Sequence, residues 1–303
     1  MSAHPSHPAE SIGASSLAQL LQQGQIARPE PDLFVVARSE TAARRPRRLG
    51  LGTPLRYGWL IGPLLLLVYW SIGSATGFID KRILPAPWVA VTTALDLIEQ
   101  GRLQTHLWVS ALRAAQGLFF GVIVGVVIAL LSGLSLAGGY VFDGLVQIKR
   151  AVPSLALIPF FILWFGIGEY MKVMVITLGV FTPIYIHTHN ALRGIDLRYV
   201  ELAETLRLSR SEFIRHVVLP GAMPGFFLGL RFAVMGAWLS LVVVEAFNAT
   251  DGIGYMINLA RNYAQTDVML VGLVLYALLG LASDYGVRYL ERKALTWRRT
   301  LAI

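Results

Sequence analysis

The 303-residue sequence contains no cysteine. This absence excludes disulfide bonds, metal sites built on thiolates and a cysteine nucleophile. Charge is scarce as well, since 15% of the residues are Asp, Glu, Lys or Arg, whereas a soluble domain carries about a quarter. Together with 55% hydrophobic residues and a mean hydropathy of +0.60, this composition indicates that lipid is the solvent for most of the chain.

Long apolar runs support this interpretation. They cover residues 57–79, 114–142, 151–168, 174–192, 225–247 and 268–289, and the only charges within them are Arg231, Glu245, Asp284 and Arg288. A helix needs about 20 apolar residues to cross the hydrocarbon core, and runs that do not alternate are helical rather than barrel strands. We therefore predict an all-α membrane protein with six transmembrane helices.

The positive charges are distributed asymmetrically along this six-helix arrangement. With the N-terminus inside, 20 of the 26 Lys and Arg residues fall on the cytoplasmic side and five fall on the outer side. This bias follows the positive-inside rule, so we predict that both termini are cytoplasmic. The net charge of +8 is thereby explained by orientation, and no nucleic-acid partner is expected.

Residues 1–50 form a polar N-terminal extension ahead of a transmembrane domain predicted over residues 51–303. The extension lacks the apolar core of a signal peptide, so a cleaved leader is not expected. It contains a short amphipathic candidate, SSLAQLLQQ, and a basic run, RRPRR, that favours anionic headgroups. We expect a largely flexible tail whose basic end touches lipid; a docking arm is the alternative.

The segment after the first span predicts an interfacial helix on the outer surface. Pro87 suits the first turn of this helix, and apolar residues recur at helical spacing: Trp88, Val91, Leu95 and Ile98. We expect this stripe to lie in the headgroups or against other spans.

The second span carries a small residue at every fourth position: Gly117, Gly121, Gly125, Ala129 and Gly133. Such a row lets another helix approach closely, because helix association in lipid depends on packing. The pattern predicts a tight helix contact, and its partner is a helix either of the same chain or of a second copy.

Residues 196–221, hereafter the insert, are polar and charged although they lie between two apolar spans. Asp196 can cap a first short helix, and Ser209 with Glu212 forms a capping box for a second one. These signals predict that the insert is structured, and that it is neither a span nor an irregular loop.

The ends of these two helices are set by different signals. A tight turn is expected at Arg207-Leu208, and the second helix is expected to stop at Leu219-Pro220, because residues before proline avoid helical geometry. The apolar side of the insert packs either on the spans or on a partner.

The insert carries a pattern that resembles the cytoplasmic signature of ABC importer permeases. That signature is Glu-Ala-Ala, three residues, Gly, nine residues and Ile-x-Leu-Pro; here it reads Glu201-Leu202-Ala203, three residues, Arg207, nine residues, Val217-Val218-Leu219-Pro220. Leu202 and Val217 are mild departures. Arg207 replaces the glycine of a left-handed turn at a cost of about 1 kcal/mol. Either Arg207 bears that strain or the turn takes another form.

Further stretches resemble the nitrate, taurine and aliphatic sulfonate branch of these permeases. They are ILPAP, LALIPFFILWFGIGEYMKV, GLRFAVMGAWLSLVVVEAF and DGIGYMI, and QTDVMLVGLVLYALLGLASD is most similar to the aliphatic sulfonate members. The resemblance runs from about residue 60 to 297. It implies transport of a small organic anion, with nitrate, bicarbonate, taurine and nitrogenous ring compounds as alternatives to alkanesulfonates.

The resemblance also implies partners, because the sequence has no G-x-x-x-x-G-K-[ST] phosphate loop and is not its own ATPase. In the family, two permeases, here a homodimer, lie in the bacterial inner membrane above two ATP-binding subunits that hold ATP and Mg²⁺. A periplasmic substrate-binding protein delivers the cargo. No cofactor is expected in this chain, and the insert would be the coupling helix. The residues expected to carry coupling are Glu201, Ala203, Glu204, Arg207, Leu208, Leu219 and Pro220.

Candidates for the pathway or its gate lie near the predicted outer ends of the spans: Arg113, Trp164, Phe165, Glu245 and Asn248. Charges within spans are functional hypotheses by default. Arg113 could attract an anion or pair with a carboxylate, whereas Glu245 would repel an anion and is predicted to be a structural pair or a gate hinge. No metal site is expected at His187 and His189, because residues two apart point to different helix faces.

Two other classes of protein are alternatives. A membrane-embedded enzyme would use Glu245 or Asp251 as acid or base and would turn over without an ATPase. A secondary transporter would usually show more spans and internal inverted repeats.

Overall fold

The computed structural model describes residues 58–297, and in this range every regular element is helical. The all-α prediction is therefore confirmed for the described part of the chain. The predicted extension, residues 1–50, lies outside it. The helices are α1 (Ile61–Ala75), α2 (Pro87–Glu99), α3 (Arg102–Leu134), α4 (Leu136–Ala151), α5 (Ile158–Phe165), α6 (Glu169–Arg193), α7 (Leu197–Thr205), α8 (Arg210–Phe213), α9 (Leu219–Asn248), α10 (Ile253–Asn262) and α11 (Thr266–Ala294).

Four helical runs in the described range are long and apolar enough to cross a membrane: α3, α6, α11 and the continuous run from α8 through α9. A fifth span results if α4 and α5 count as one span, although they are bent by 88°. Helix α1 is apolar, but its 15 residues rise only about 22 Å. The length criterion thus gives four or five spans, and the count of six stays a prediction.

The apolar run over residues 151–168, predicted to be the third span, is not one continuous helix. Helix α4 continues to Ala151, and the chain is extended at Val152 (φ −95°, ψ 117°). A 3₁₀ turn, Ser154–Leu157, then leads into the eight residues of α5. The break has a local cause, because Pro153 disfavours the helical conformation in the residue before it.

Helix α6 is the centre of the bundle, and α3 packs along one side of it. A Cβ atom added at Gly117, Gly121 or Gly125 would lie within 2.7 Å of the side chain opposite, and these side chains are Ile176, Val180 and Ile184 of α6. All three of these α6 side chains are fully buried. The tight contact predicted from the small residues is confirmed, and its partner is a helix of the same chain.

Helix α9 also packs against α6 through glycines. Gly225 and Gly229 face α6 so closely that added Cβ atoms would lie 2.8 and 3.0 Å from the carbonyl oxygens of His187 and Pro183. Close van der Waals packing of this kind is one of the forces that drive helix association in lipid. Helix α6 is thus held by glycines of two neighbouring helices, α3 and α9.

Helix α2 begins at Pro87, as predicted, after an extended residue at Ala86. Its predicted apolar stripe is exposed in this chain: Trp88, Val91, Leu95 and Ile98 are 44–60% accessible. The opposite side, with buried Leu97, packs against α10 and α11 through Ile253, Met256 and Val271. The sequence analysis gave two environments for this stripe, the headgroups or other spans. The second is wrong for the spans of this chain, because they do not cover the stripe.

We expect Gly121→Ala to disrupt the α3–α6 contact. Its Cβ would meet the Val180 side chain at 2.5 Å and the Thr177 backbone oxygen at 2.8 Å, so the helices must separate. Overpacking of this kind costs about 1–3 kcal/mol. Thermal unfolding of the purified protein in detergent measures the loss. Gly280→Ala is the matched control, because that Cβ meets nothing within 4 Å; equal stability of the two variants would contradict this packing.

Candidate functional site: the insert and a buried charge cluster

The first half of the insert is α7. The Asp196 side chain accepts a hydrogen bond from the Arg198 N–H at 3.0 Å, which confirms the predicted cap. Ala203 is the buried residue of this helix. Large apolar side chains on it are exposed by 54–74%, namely Leu197, Tyr199, Leu202 and Leu206. In this chain the apolar side of α7 is therefore not covered by the spans.

The turn after α7 adopts the left-handed form at Arg207, whose φ is +52°. The Arg207 N–H donates to the Glu204 carbonyl and the Leu208 N–H donates to the Ala203 carbonyl, each at 3.0 Å. These two bonds form a Schellman motif, which normally has glycine at the left-handed position. Of the two alternatives predicted for this turn, the structure has the left-handed one, in which Arg207 bears the strain.

The second half of the insert begins with the predicted capping box, in which Ser209 and Glu212 bond each other's backbone N–H groups. The predicted stop at Leu219-Pro220 is wrong, because Leu219 is helical (φ −64°, ψ −48°). A π-turn over Ile214–Val218 lets the Leu219 N–H donate to the Ile214 carbonyl. The wider turn accommodates the proline ring without a break, so α8 continues into α9.

The coupling candidates occupy different environments on this frame. Glu201, Glu204, Arg207 and Leu208 are exposed, whereas Ala203 is 7% accessible. Leu219 and Pro220 lie in the first turn of α9, which joins the insert to a long apolar helix without interruption. The second half of the insert is therefore continuous with α9.

A second group of residues lies around the buried guanidinium of Arg113, near the predicted outer ends of the spans. Its Nε and Nη2 each lie 2.6 Å from the Glu169 carboxylate. Its Nη1 donates to Glu245 at 2.8 Å and to the Asp251 carbonyl at 2.6 Å. Lys172 donates to Glu169 at 2.7 Å. We call Arg113, Glu169, Lys172 and Glu245 the Arg113 cluster; it joins α3, α6 and α9.

Glu245 is completely buried and accepts hydrogen bonds from four residues, which lie on α3, α10 and α11. Besides Arg113, the donors are the Ser110 hydroxyl at 2.8 Å, the Gly254 N–H at 2.9 Å and the Tyr276 hydroxyl at 3.2 Å. A buried carboxylate requires this compensation, because its desolvation costs several kcal/mol. Glu245 thus has the structural pairing that the sequence analysis predicted.

The loop between α9 and α10 is shaped around this carboxylate. Gly252 has a φ of +118°, and a Cβ there would lie 2.3 Å from a Glu245 oxygen. Its N–H donates to the His106 ring at 3.1 Å, and the Ile253 N–H donates to Ser110 at 2.8 Å. Glycine is required where backbone passes this closely over a side chain.

Sequence reasoning missed Glu169 and Lys172 as members of the cluster. The sequence did contain one signal for Glu169: it is an acidic residue in the first turn of α6, where the helix dipole favours negative charge. Lys172, one turn later, is 4% accessible, and a buried lysine requires a partner. Their contact with Arg113 depends on how α3 and α6 pack, which no local pattern specifies.

Trp164 and Phe165 have no hydrogen bond or ion pair to the cluster in the part of the chain that the structure describes. Trp164 and Phe165 end α5, are 66% and 48% accessible, and contact the ring of Phe161 at 6.0 Å between centroids. Asn248 is the last residue of α9. The ring of His187 stacks on Phe232, and the ring of His189 stacks on Tyr185.

Long apolar helices with paired buried charges are typical of a multi-pass membrane protein. The family model for the binding-protein-dependent transport system inner membrane component matches residues 117–296, and the chain belongs to this family. It is therefore an ABC importer permease subunit, a transport component and not an enzyme.

Curated relatives match most of the chain. The putative aliphatic sulfonates transport permease protein SsuC of Bacillus subtilis is 40% identical, covering 81% of this chain and 90% of the relative. SsuC of Escherichia coli is 43% identical, with 79% and 90% covered. The taurine transport system permease protein TauC of Escherichia coli is 31% identical, with 77% and 86% covered.

A solved structure supports the fold. A chain in the crystal structure of an amino acid ABC transporter with histidines superposes with a TM-score of 0.56, covering 66% of this chain and 97% of that chain. The two sequences are 17% identical, so the likeness concerns the helical architecture.

We expect Arg207→Gly to stabilise the insert by about 1 kcal/mol, because glycine adopts a positive φ without steric strain. Hydrogen exchange of the α7 amides in the purified permease reports local opening and should become slower. Glu201→Gly, in the middle of the same helix, is the control and should accelerate exchange by a similar free energy. Faster exchange in Arg207→Gly would contradict the strained turn.

We expect Glu245→Gln to lower the stability of the protein by about 3–5 kcal/mol, because the buried Arg113 loses a charged partner. The double variant Arg113→Met/Glu245→Gln should cost less than the sum of the single variants. Asp196→Asn, at an exposed ion pair, should change stability by less than about 1 kcal/mol. Thermal unfolding in detergent measures all of them, and additive losses would argue against a coupled pair.

Proposed function

We propose that this chain is the transmembrane subunit of an ATP-driven importer that moves an alkanesulfonate or a taurine-like anion from the periplasm to the cytoplasm. The observation that carries the proposal is the 40–43% identity to two aliphatic sulfonate permeases over about four fifths of the chain. Identity to the taurine permease is lower, at 31%, which favours the unsubstituted alkanesulfonates.

The proposed assembly contains two copies of this chain, each with six spans and with both termini in the cytoplasm. Two separate subunits bind ATP and Mg²⁺ below the membrane, and a periplasmic binding protein delivers the substrate. Family membership and the absence of a phosphate loop from the sequence support this division of labour.

The insert is proposed to be the coupling helix that contacts the ATP-binding subunit. Its support is physical: α7 exposes Leu202 and Leu206, by 54% and 62%, beside the charged side chain of Glu201. Exposed apolar side chains rimmed by charge are typical of a protein interface. Because α8 continues into α9, a displacement of the insert is transmitted to a long apolar helix.

Transport also requires that the partner distinguish two states of the permease. An ATP-binding subunit that bound the insert with equal affinity in both states would not shift the equilibrium between them. We propose that closure of the ATP-binding subunits moves the insert as a rigid body, and that hydrolysis returns it.

We expect Glu201→Lys or Leu202→Asp to abolish uptake of radiolabelled ethanesulfonate in cells while leaving the amount of permease in the membrane unchanged. Both side chains are exposed, so the change acts on docking and not on folding. In the reconstituted complex, binding protein loaded with ethanesulfonate should no longer stimulate ATP hydrolysis.

Glu99→Lys is the matched control, because Glu99 is an equally exposed glutamate at the end of α2, on the predicted outer side. Its uptake should equal that of the unmodified chain. Normal uptake in Glu201→Lys and Leu202→Asp would overturn the coupling role. If another anion stimulated ATP hydrolysis and neither ethanesulfonate nor taurine did, the proposed substrate class would be wrong.

A further inference from the structure

We propose that Arg113 and Lys172 form an anion subsite at the predicted outer end of the pathway. In this conformation Glu169 occupies the subsite with its own carboxylate, and the sulfonate headgroup of the substrate displaces it. The inference deepens the proposed function and rests on it for the class of substrate.

The burial of the three side chains is unequal. Arg113 and Lys172 are each 4% accessible, whereas the Glu169 side chain that pairs with both is 59% accessible. Two buried cations need a negative partner at all times. The exposed carboxylate, in contrast, can return to water without being desolvated. Glu169 is therefore the member of the cluster that can leave, provided that another anion takes its place.

The guanidinium of Arg113 is divided between a permanent and an exchangeable partner. Its Nη1 is bound to the fully buried Glu245 and to the Asp251 carbonyl, whereas Nε and Nη2 face Glu169. The permanent side keeps Arg113 oriented when Glu169 departs. The exchangeable edge presents two parallel N–H groups, the geometry with which arginine binds oxyanions.

Charge and donor number match a sulfonate. Replacing the Glu169 carboxylate with a monoanion leaves the net charge of the cluster unchanged. Three donors converge on that carboxylate, which are Nε and Nη2 of Arg113 and Nζ of Lys172, at 2.6–2.7 Å. A carboxylate offers two oxygens to these donors, whereas a sulfonate offers three. Among the residues that the structure describes, Glu169 is the one ion-pair partner of Lys172. When Glu169 leaves, Lys172 therefore also needs the incoming anion as its partner.

The absence of cysteine from the chain provides a direct test. In the assembled complex, Glu169→Cys gives the permease a single thiol beside the two cations. We expect the anionic reagent 2-sulfonatoethyl methanethiosulfonate to label it at least about tenfold faster than the cationic 2-(trimethylammonio)ethyl reagent. The rates are read from the mass of the permease chain and normalised to Tyr170→Cys, a neighbouring position that is 84% accessible.

Two further arms identify the ligand. Ethanesulfonate should slow the labelling of Glu169→Cys, whereas the neutral ethanesulfonamide should not. Lys172→Gln in the same background should remove most of the preference for the anionic reagent. If Glu169 only clamps α3 to α6, ethanesulfonate will not slow the labelling, and that result overturns the proposal.

A second variant covers the case in which Glu169→Cys does not fold. Glu169→Gln removes the competing charge, so ethanesulfonate should raise the unfolding temperature of this variant more than that of the unmodified complex. Equal shifts would overturn the subsite. The labelling and unfolding measurements need neither ATP nor uptake. A negative result in them therefore counts against the subsite and not against transport. If ethanesulfonate protects the thiol but is not taken up, the proposed function alone is contradicted.

Discussion

The ion pair between Arg113 and Glu245 is the interaction on which one end of the bundle depends. Neither charge can be buried alone among apolar helices, because each would lose several kcal/mol of hydration. The pair therefore collects further partners: Ser110 on α3, Glu169 on α6, Tyr276 on α11 and the loop that begins at Gly252. One buried ion pair thus joins five separate parts of the chain.

Helix α6 connects this arrangement to the insert. Glu169 lies in its first turn, and its last residue, Arg193, is three residues from the cap at Asp196. Rows of glycine on α3 and α9 hold α6 at close range along its length, so its two ends move together. Helix α6 is in this way the packed element that lies between the Arg113 cluster and the insert.

Local signals in the sequence were reliable where the chemistry is local. The cap at Asp196, the capping box at Ser209 and the start of α2 at Pro87 were predicted correctly, because each depends on a side chain bonding its own backbone or on a fixed φ. The stop at Pro220 was predicted wrongly. A proline can be accommodated by a π-turn. Whether the helix continues through such a turn depends on how its residues pack against other helices.

The sequence by itself determined the helical class, the location in lipid, the family and the existence of a close helix contact through Gly121. These properties follow from composition, spacing and the backbone demands of a membrane. Only the tertiary structure decided that α6 is the partner in that contact, that Arg113 pairs with Glu169 and Glu245, and that Arg207 takes a left-handed turn. The reason is physical: these ion pairs join residues 56 and 132 positions apart, and their geometry is set by packing.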